Sequence, residues 1–276
     1  MFRSDIPANT TFEVQLTAGG QNPQAPSQAS LESDLDVQQT IGIATGIPTT
    51  FISVGSEGLL DPVGFLNAVD LLLNETSPPQ VLSVSYGTDE LGIDNATARA
   101  VCNGFAQLGA RGVSVIFASG DGGISGGHPD SSCTSSDTFR PVFPATCPYV
   151  TAVGATTSTP ETAWPSSSGG FSTLFPAPQY QLASPALAAY LSSLNGTYAG
   201  RFNASGRAFP DIAAIGDWVP TVWSGQVVEN KGTSASAPIF AGVLGLVNAQ
   251  LRVQGKAADG VVGAVDLEWR RRGGVQ

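Results

Sequence analysis

One short string in the sequence is typical of a reactive serine. Gly232-Thr233-Ser234 leads directly into a largely apolar run that ends at Gly242, and we expect Ser234 to lie at the N-terminus of a helix. The unpaired N–H groups and the dipole of a helix N-terminus favour nearby negative charge, and such charge develops when a hydroxyl attacks a carbonyl. The alternative is that Ser234 only caps the helix, as serine often does. The eleven-residue string is more specific than a cap.

A serine nucleophile needs a base, and the sequence offers two kinds. The only histidine, His128, lies in a glycine-rich loop and is expected to be exposed to solvent rather than catalytic. Glu32 and Asp36 are four residues apart in a predicted helix, so they share one face and repel each other, which raises at least one pKa. We interpret them as a general base and its orienting acid sharing one proton. The alternative is an ordinary solvated acidic face. Asp34 points elsewhere and is left out.

A third candidate follows a buried strand. Ala118-Ser119-Gly120-Asp121 comes at the end of the apolar run Val113–Ala118, and sites in open α/β sheets form beyond the carboxyl ends of strands. Asp121 between glycines is therefore well placed to face a substrate. The alternative is an ordinary Asp-Gly turn.

The elements that must position these residues alternate along the chain. Strand and helix in this rhythm predict a mostly parallel sheet with helices on both faces. Residues 1–29 are expected to be irregular or edge structure, and 155–210 to be long surface excursions. The predicted helices are Leu31–Ile41 (capped by Ser30), Pro62–Leu73, Asp94–Leu108 and Ser234–Gln254, and the predicted strands are Thr50–Val54, Val81–Gly87, Val113–Ala118 and a pair within Val219–Val228.

Composition and charge exclude several classes of partner. The 276 residues contain 42% hydrophobic and 12% charged residues, which is typical of a globular protein with one large domain. With 12 Lys and Arg against 22 Asp and Glu, the surface repels nucleic acid and anionic membranes at neutral pH. No run of 18 apolar residues is present, so we expect no membrane span.

Other features favour the secretory route, although residues 1–5 lack the apolar stretch of a signal peptide. Three cysteines leave at least one without an intrachain partner. We expect an extracellular protein. Half of the ten asparagines lie in glycosylation sequons: Asn9, Asn74, Asn95, Asn195 and Asn203.

Together, the three motif segments resemble those of the sedolisins, the serine-carboxyl peptidases, in the same order and from about residue 1 to about residue 256. The resemblance implies a subtilisin-like α/β fold, with Ser234 as nucleophile, Glu32 as general base, Asp36 as its partner and Asp121 lining the oxyanion hole. It also implies peptide or protein substrates and a monomer that acts in acid. Asp121 can donate a hydrogen bond only when protonated, whereas Glu32 must be ionised, and both conditions hold near pH ~4.

Three further segments echo subtilisin, namely Ser83–Gly87, Val153–Thr156 and Pro210–Ala213. By that analogy a substrate adds as an extended strand. The residues that the resemblance assigns to substrate binding are Ser85, Tyr86, Gly87, Ser119 and Gly120.

The sequence also departs from the sedolisin pattern. Members of the family have a prosegment, which we expect the domain spanning 1–256 to lack, and a calcium site after the nucleophile helix. No calcium ligands are recognisable in 257–276, a divergent tail containing Arg270–Arg272 that suggests a truncated or mis-spliced chain. One alternative function is therefore an inactive fragment or a peptide-binding pseudo-peptidase. Another, a histidine-dependent subtilase, requires His128 near Ser234. Internal cleavage and tripeptide release both stay open.

Overall fold

Strands and helices alternate along most of the chain, as the sequence predicts. The computed structural model describes residues 3–55, 62–130 and 138–256; Cys133 and the predicted tail at 257–276 lie outside them. The helices are α1 (Leu31–Ile43), α2 (Pro62–Asn74), α3 (Asn95–Ala110), α4 (Gln179–Leu182), α5 (Pro185–Ser193) and α6 (Thr233–Val253). The strands are β1 (Glu13–Thr17), β2 (Thr50–Val54), β3 (Val81–Val84), β4 (Thr88–Asp89), β5 (Ser114–Ala118), β6 (Val142–Phe143), β7 (Thr151–Thr157), β8 (Thr162–Ala163), β9 (Gly170–Pro176), β10 (Gly206–Phe209), β11 (Ile212–Ile215), β12 (Val219–Trp223) and β13 (Gln226–Asn230).

A parallel sheet occupies the centre of the fold. Its strands follow the order β11-β7-β5-β3, and β8 adds to β7 in the antiparallel sense. Every residue of β5 is buried, which explains its continuous apolar sequence. Among the described residues, β1 and β2 form a separate parallel pair.

Helices cover both faces of the central sheet, as predicted. On one face, Phe105 of α3 packs against Phe117 of β5, with ring centroids 5.1 Å apart. The disulfide between Cys102 and Cys147 lies in the same cluster. On the other face, Ala237 and other residues of α6 pack against β5 and β7. The subtilisin-like α/β fold expected from the sequence is confirmed.

Helix α6 contributes both to the core and to the candidate site. By length and composition alone it is apolar enough to cross a membrane, and it is the one such helix among the described residues. Its inward face nevertheless forms core against the sheet, an arrangement found in the core helices of globular proteins. The N-terminal end of α6 carries Ser234.

Two predictions about elements were wrong. The segment 155–210 contains more than surface excursions, because β9 pairs with β10 and Phe171 and Phe209 from this segment are buried. The predicted strand Val81–Gly87 ends at Val84, where hydrogen bonds to β5 stop. Ser85 then takes part in side-chain contacts at the carboxyl edge of the sheet.

Candidate active site

The turn before α6 presents the candidate nucleophile. Gly232 adopts a φ of +147°, which side chains rarely tolerate, and a Cβ there would lie 2.8 Å from Oδ2 of Asp121. Only glycine therefore allows the turn to pass so close to that carboxyl group. The Ser234 hydroxyl, one residue into α6, donates a hydrogen bond to the carbonyl oxygen of Ser85 at 3.3 Å.

The acid pair lies on the first turns of α1, which begins where the sequence predicts. The Ser30 hydroxyl caps this helix by accepting from the backbone N–H of Ser33 at 3.3 Å. Leu35 of α1 packs in one cluster with Val219 and Ala235, and Ala235 directly follows the nucleophile. This contact brings the face that carries the acids to the start of α6.

Electrostatics within the acid pair favour one shared proton. Burial raises the pKa of Asp36 well above its ordinary value, and the charge of Glu32 raises it further. The Ser85 hydroxyl opposes this effect, because it donates to Oδ1 of Asp36 at 2.9 Å. Burial also raises the pKa of Glu32, while the neighbouring Ser234 hydroxyl lowers it. Two adjacent carboxyl groups that interact in this way titrate as a pair, and the proton that they share is divided unequally between them.

One oxygen of Glu32 is available for a new hydrogen bond. Its Oε1 is buried and has no hydrogen-bond partner among the described residues. A buried acceptor without a partner is costly and needs an explanation, and a catalytic role is one of those that such groups have. The Ser234 hydroxyl bonds to Ser85 in this structure, and a rotation about its Cα–Cβ bond would aim it elsewhere.

Asp121 faces the same space from the end of β5. Its Oδ1 accepts two hydrogen bonds from Thr233, from the backbone N–H and from the hydroxyl, each 2.8 Å long. The same hydroxyl accepts from the backbone N–H of Gly120 at 3.0 Å. Burial raises the pKa of Asp121, and the bonds from Thr233 and the charge of His128 lower it.

These residues enclose one cavity of about 250 Å³. Ser234, Glu32 and Asp121 all line this cavity. Asp36 does not line it, but its carboxyl group accepts a hydrogen bond from Ser85, which does. Four of the five residues assigned to substrate binding also line the cavity: Ser85, Tyr86, Gly87 and Gly120. Burial, together with the charges of Glu32 and Asp36, raises the pKa of Tyr86 to about 12, so its phenol stays protonated in acid.

The fifth, Ser119, does not reach the cavity. Its side chain is fully buried and donates to the carbonyl oxygen of Ser168 at 2.7 Å, and its backbone N–H donates to Val153. The hydroxyl and the backbone N–H of Ser119 are therefore both engaged within the protein, and they hold the loop after β5. The assignment of Ser119 to substrate binding stays a prediction, and Ser119 does not line the cavity.

His128 is exposed, as the sequence predicts, and it also lines the same cavity as Ser234, which the sequence did not predict. The loop between Asp121 and His128 folds back tightly, since the backbone N–H of Asp121 donates to Gly127 at 2.9 Å. Four glycines between these two residues permit that reversal, and they were the available signal.

The described residues also bear on metal binding. Across 3–55, 62–130 and 138–256, no group of three or more His, Cys, Asp or Glu is arranged to hold a metal ion. The calcium that the resemblance to sedolisins implies stays a prediction, since calcium sites also use backbone carbonyl oxygens.

Comparison with known proteins shows the family to which the chain belongs. The chain belongs to the subtilase family, whose model matches residues 16–255. Within it, the resemblance to sedolisins is confirmed. The chain is 40% identical over 259 residues to tripeptidyl-peptidase SED2 of Arthroderma otae, and 38% identical over 261 residues to the probable tripeptidyl-peptidase SED3 of Arthroderma benhamiae.

Both matches cover 86% of this chain but only 42% of the relative. The chain thus spans about two fifths of the length of these curated relatives. Among solved structures, Pseudomonas sedolisin (serine-carboxyl proteinase) complexed with pseudo-iodotyrostatin superposes with a TM-score of 0.71 at 21% identity. That match covers 94% of this chain and 72% of the other, and it supports the fold.

Proposed function

We propose that this serine peptidase hydrolyses peptide bonds in acid through Ser234, Glu32 and Asp36, with Asp121 in the oxyanion hole. The observation that carries the proposal is that one cavity is lined by the hydroxyl, an unpartnered buried carboxylate oxygen and a second carboxyl group. Peptides and proteins are the substrates. The relatives' names make release of tripeptides the first specific activity to test.

In the proposed first step, Oγ of Ser234 attacks the peptide carbonyl carbon and its proton passes to Glu32. Glu32 must be ionised to accept it, and the neighbouring acid makes this possible. Burial and the charge of Glu32 both raise the pKa of Asp36 and so favour its protonated form, and the proposal therefore assigns the shared proton to Asp36 and leaves Glu32 ionised. Glu32 then returns the proton to the leaving amine, which leaves an acyl-enzyme for water to hydrolyse.

Asp121 would stabilise the negative charge that forms on the carbonyl oxygen. Its Oδ1 is already occupied by two hydrogen bonds from Thr233. A proton on Asp121 is therefore best placed on Oδ2, from which it can be donated to the oxyanion. Donors aimed at such an oxygen are typically worth ~10²–10³ in kcat. Burial of Asp121 supports this role, because it favours the protonated form.

A histidine-dependent mechanism is the second candidate, since His128 shares the cavity with Ser234. The two mechanisms differ in pH dependence. An imidazole base works only when neutral, above about pH 6.5. The carboxylate mechanism predicts activity in acid instead.

Hydrolysis of a fluorogenic peptide from pH ~3 to pH ~8, around the ordinary carboxyl and imidazole values, tests the proposal. The expected result is a maximum in acid that is abolished in Ser234→Ala. Activity that rises only above neutral pH would support the histidine base instead. Absence of hydrolysis at every pH, in a folded protein, would favour the inactive peptide-binding module.

We further propose that residues 1–256 make up the catalytic domain, with 257–276 as a separate tail, and that the protein follows the secretory route. The disulfide between Cys102 and Cys147 fits an oxidising compartment. Four sequon asparagines are exposed, namely Asn9, Asn74, Asn95 and Asn195. The fifth, Asn203, is half-buried, and its amide nitrogen donates to Ser172 at 2.9 Å. Glycan mapping by mass spectrometry after secretion from a eukaryotic host tests the assignment of the route.

A further inference from the structure

The backbone that carries His128 is held from several sides. The carbonyl oxygen of His128 accepts from the Ser125 hydroxyl at 3.2 Å, and the N–H of Gly127 donates to the carboxylate of Asp89 at 2.8 Å. A side chain on Gly122 is excluded, because its Cβ would lie 2.3 Å from the His128 carbonyl oxygen. The backbone position of His128 is therefore fixed, and the residue lines the cavity while remaining exposed to solvent.

His128 differs in charge from everything else that lines the cavity. The other ionisable lining groups are Glu32, Asp121 and the phenol of Tyr86, and His128 alone among the lining residues can be cationic. Three further charged groups, Asp89, Asp130 and Arg140, contact this loop or lie at its end. Asp89 is engaged by the Gly127 N–H, and Asp130 pairs with Arg140 at 2.7 Å. Histidine side chains are protonated at the acidic pH at which the proposed mechanism operates.

The position of the cavity indicates which part of a substrate would meet this charge. Its lining includes the segment Ser85–Gly87, the loop residues Gly120 and Asp121, and the apolar Val142. A peptide placed along Ser85–Gly87, with its carbonyl carbon at Ser234 and its oxygen at Asp121, would extend one side chain into this cavity. That side chain belongs to the residue whose carbonyl is attacked.

We infer that the cavity with His128 is a subsite for a carboxylate side chain, so that glutamate or aspartate is favoured on the acyl side of the scissile bond. The inference rests on the proposed function and adds a substrate class to it. An imidazolium can donate to a carboxylate in a charge-assisted hydrogen bond. It gives no such advantage to the amide of glutamine, which has nearly the same shape.

The test compares two peptides that differ only in glutamate or glutamine at this position. The readout is the ratio of their kcat/KM values between pH ~4.5 and pH ~6, where a glutamate side chain is largely ionised and a histidine is largely cationic. Because the imidazole is exposed, we expect a preference of roughly three- to tenfold for glutamate in the native protein. The ratio is expected to fall to about one in His128→Asn and to be restored in His128→Lys, which retains a positive charge.

Each outcome bears on a different statement. An unchanged ratio in His128→Asn, or no preference in the native protein, would overturn the subsite while the proposed function stands. Loss of both activities together in His128→Asn, by several orders of magnitude, would identify the imidazole as the base and overturn both. A circular dichroism melt of each variant confirms that the compared proteins are folded.

Discussion

Thr233 donates two hydrogen bonds to the same oxygen of Asp121, one from its backbone N–H and one from its hydroxyl, each at 2.8 Å. Thr233 immediately precedes the candidate nucleophile, so the residue that would bind the oxyanion is fixed to the turn that presents the hydroxyl. The two groups therefore keep their relative position if the end of β5 shifts.

This relationship predicts the effect of Thr233→Val. The variant loses the hydroxyl donor, which lowers the pKa of Asp121 in the native protein, so that pKa should rise. The alkaline limb of the profile of kcat/KM against pH is then expected to move to higher pH, with kcat reduced roughly tenfold because Asp121 is less well held. Thr233→Ser keeps a hydroxyl and serves as the control. A limb that moves to lower pH in Thr233→Val would contradict the assignment of Asp121.

The role of Glu32 predicts a large and specific loss of activity. Glu32→Gln is nearly isosteric but cannot accept the proton, and we expect kcat to fall by ~10²–10⁴. Asp34→Asn is the matched control, because Asp34 lies on the same helix and does not line the cavity. Steady-state kinetics at the acidic optimum measures both. Equal losses in the two variants would show that helix α1 matters only as a whole.

Two replacements of Asp121 separate its charge from its hydrogen bond. In Asp121→Ala the donor is lost, and kcat should fall by ~10²–10³. In Asp121→Asn the amide can donate at any pH, so more activity should remain and the alkaline limb should flatten. Profiles of kcat/KM from acid to neutral pH provide the measurement. The oxyanion role fails if both variants behave alike and retain the native alkaline limb.

The raised pKa of Asp36 also predicts how stability depends on pH. A carboxyl group whose pKa is higher in the folded protein binds protons more readily there, so stability is fully present below its unfolded value of ~3.9 and is lost as pH rises through the folded value. Asp36→Asn removes that loss. Its Tm should match the native value near pH ~3 and exceed it at pH ~7 by about 2–4 °C, the shift that about 1 kcal/mol gives in a large domain.

Differential scanning calorimetry across this range checks the prediction. The amide oxygen that Asp36→Asn introduces can still accept a hydrogen bond from the Ser85 hydroxyl, so the substitution changes the charge and keeps this contact. A variant that is less stable than the native protein at neutral pH, and equally stable in acid, would show that an ionised Asp36 stabilises the fold instead.

Local sequence patterns were sufficient where a single chemical rule dominates. Ser30 as a cap, the buried strand β5 and the helix behind Ser234 follow from periodicity and capping, and they lie within a few residues of their predicted bounds. The strands of 155–210 were missed because turn residues dominate that segment, whereas β9 is fixed by pairing with the distant β10.

In the candidate site, too, local spacing was predictable from the sequence and long-range contacts were not. The spacing of Glu32 and Asp36 predicted their shared face, but the Ser85 hydroxyl that bonds to Asp36 lies 49 positions away along the chain. No local pattern reports such a contact. The presence of His128 in the cavity lining was not predictable for a similar reason, because its position depends on the hydrogen bonds by which a glycine-rich loop contacts Asp121 and Asp89.

The most direct measurement is covalent labelling of Ser234 by a fluorophosphonate, with the labelled residue identified by peptide mass spectrometry, in the native protein and in Glu32→Gln. If a carboxylate withdraws the hydroxyl proton, the native protein is labelled at about pH 4 and the variant is not. Labelling of Glu32→Gln at the native rate would contradict the account.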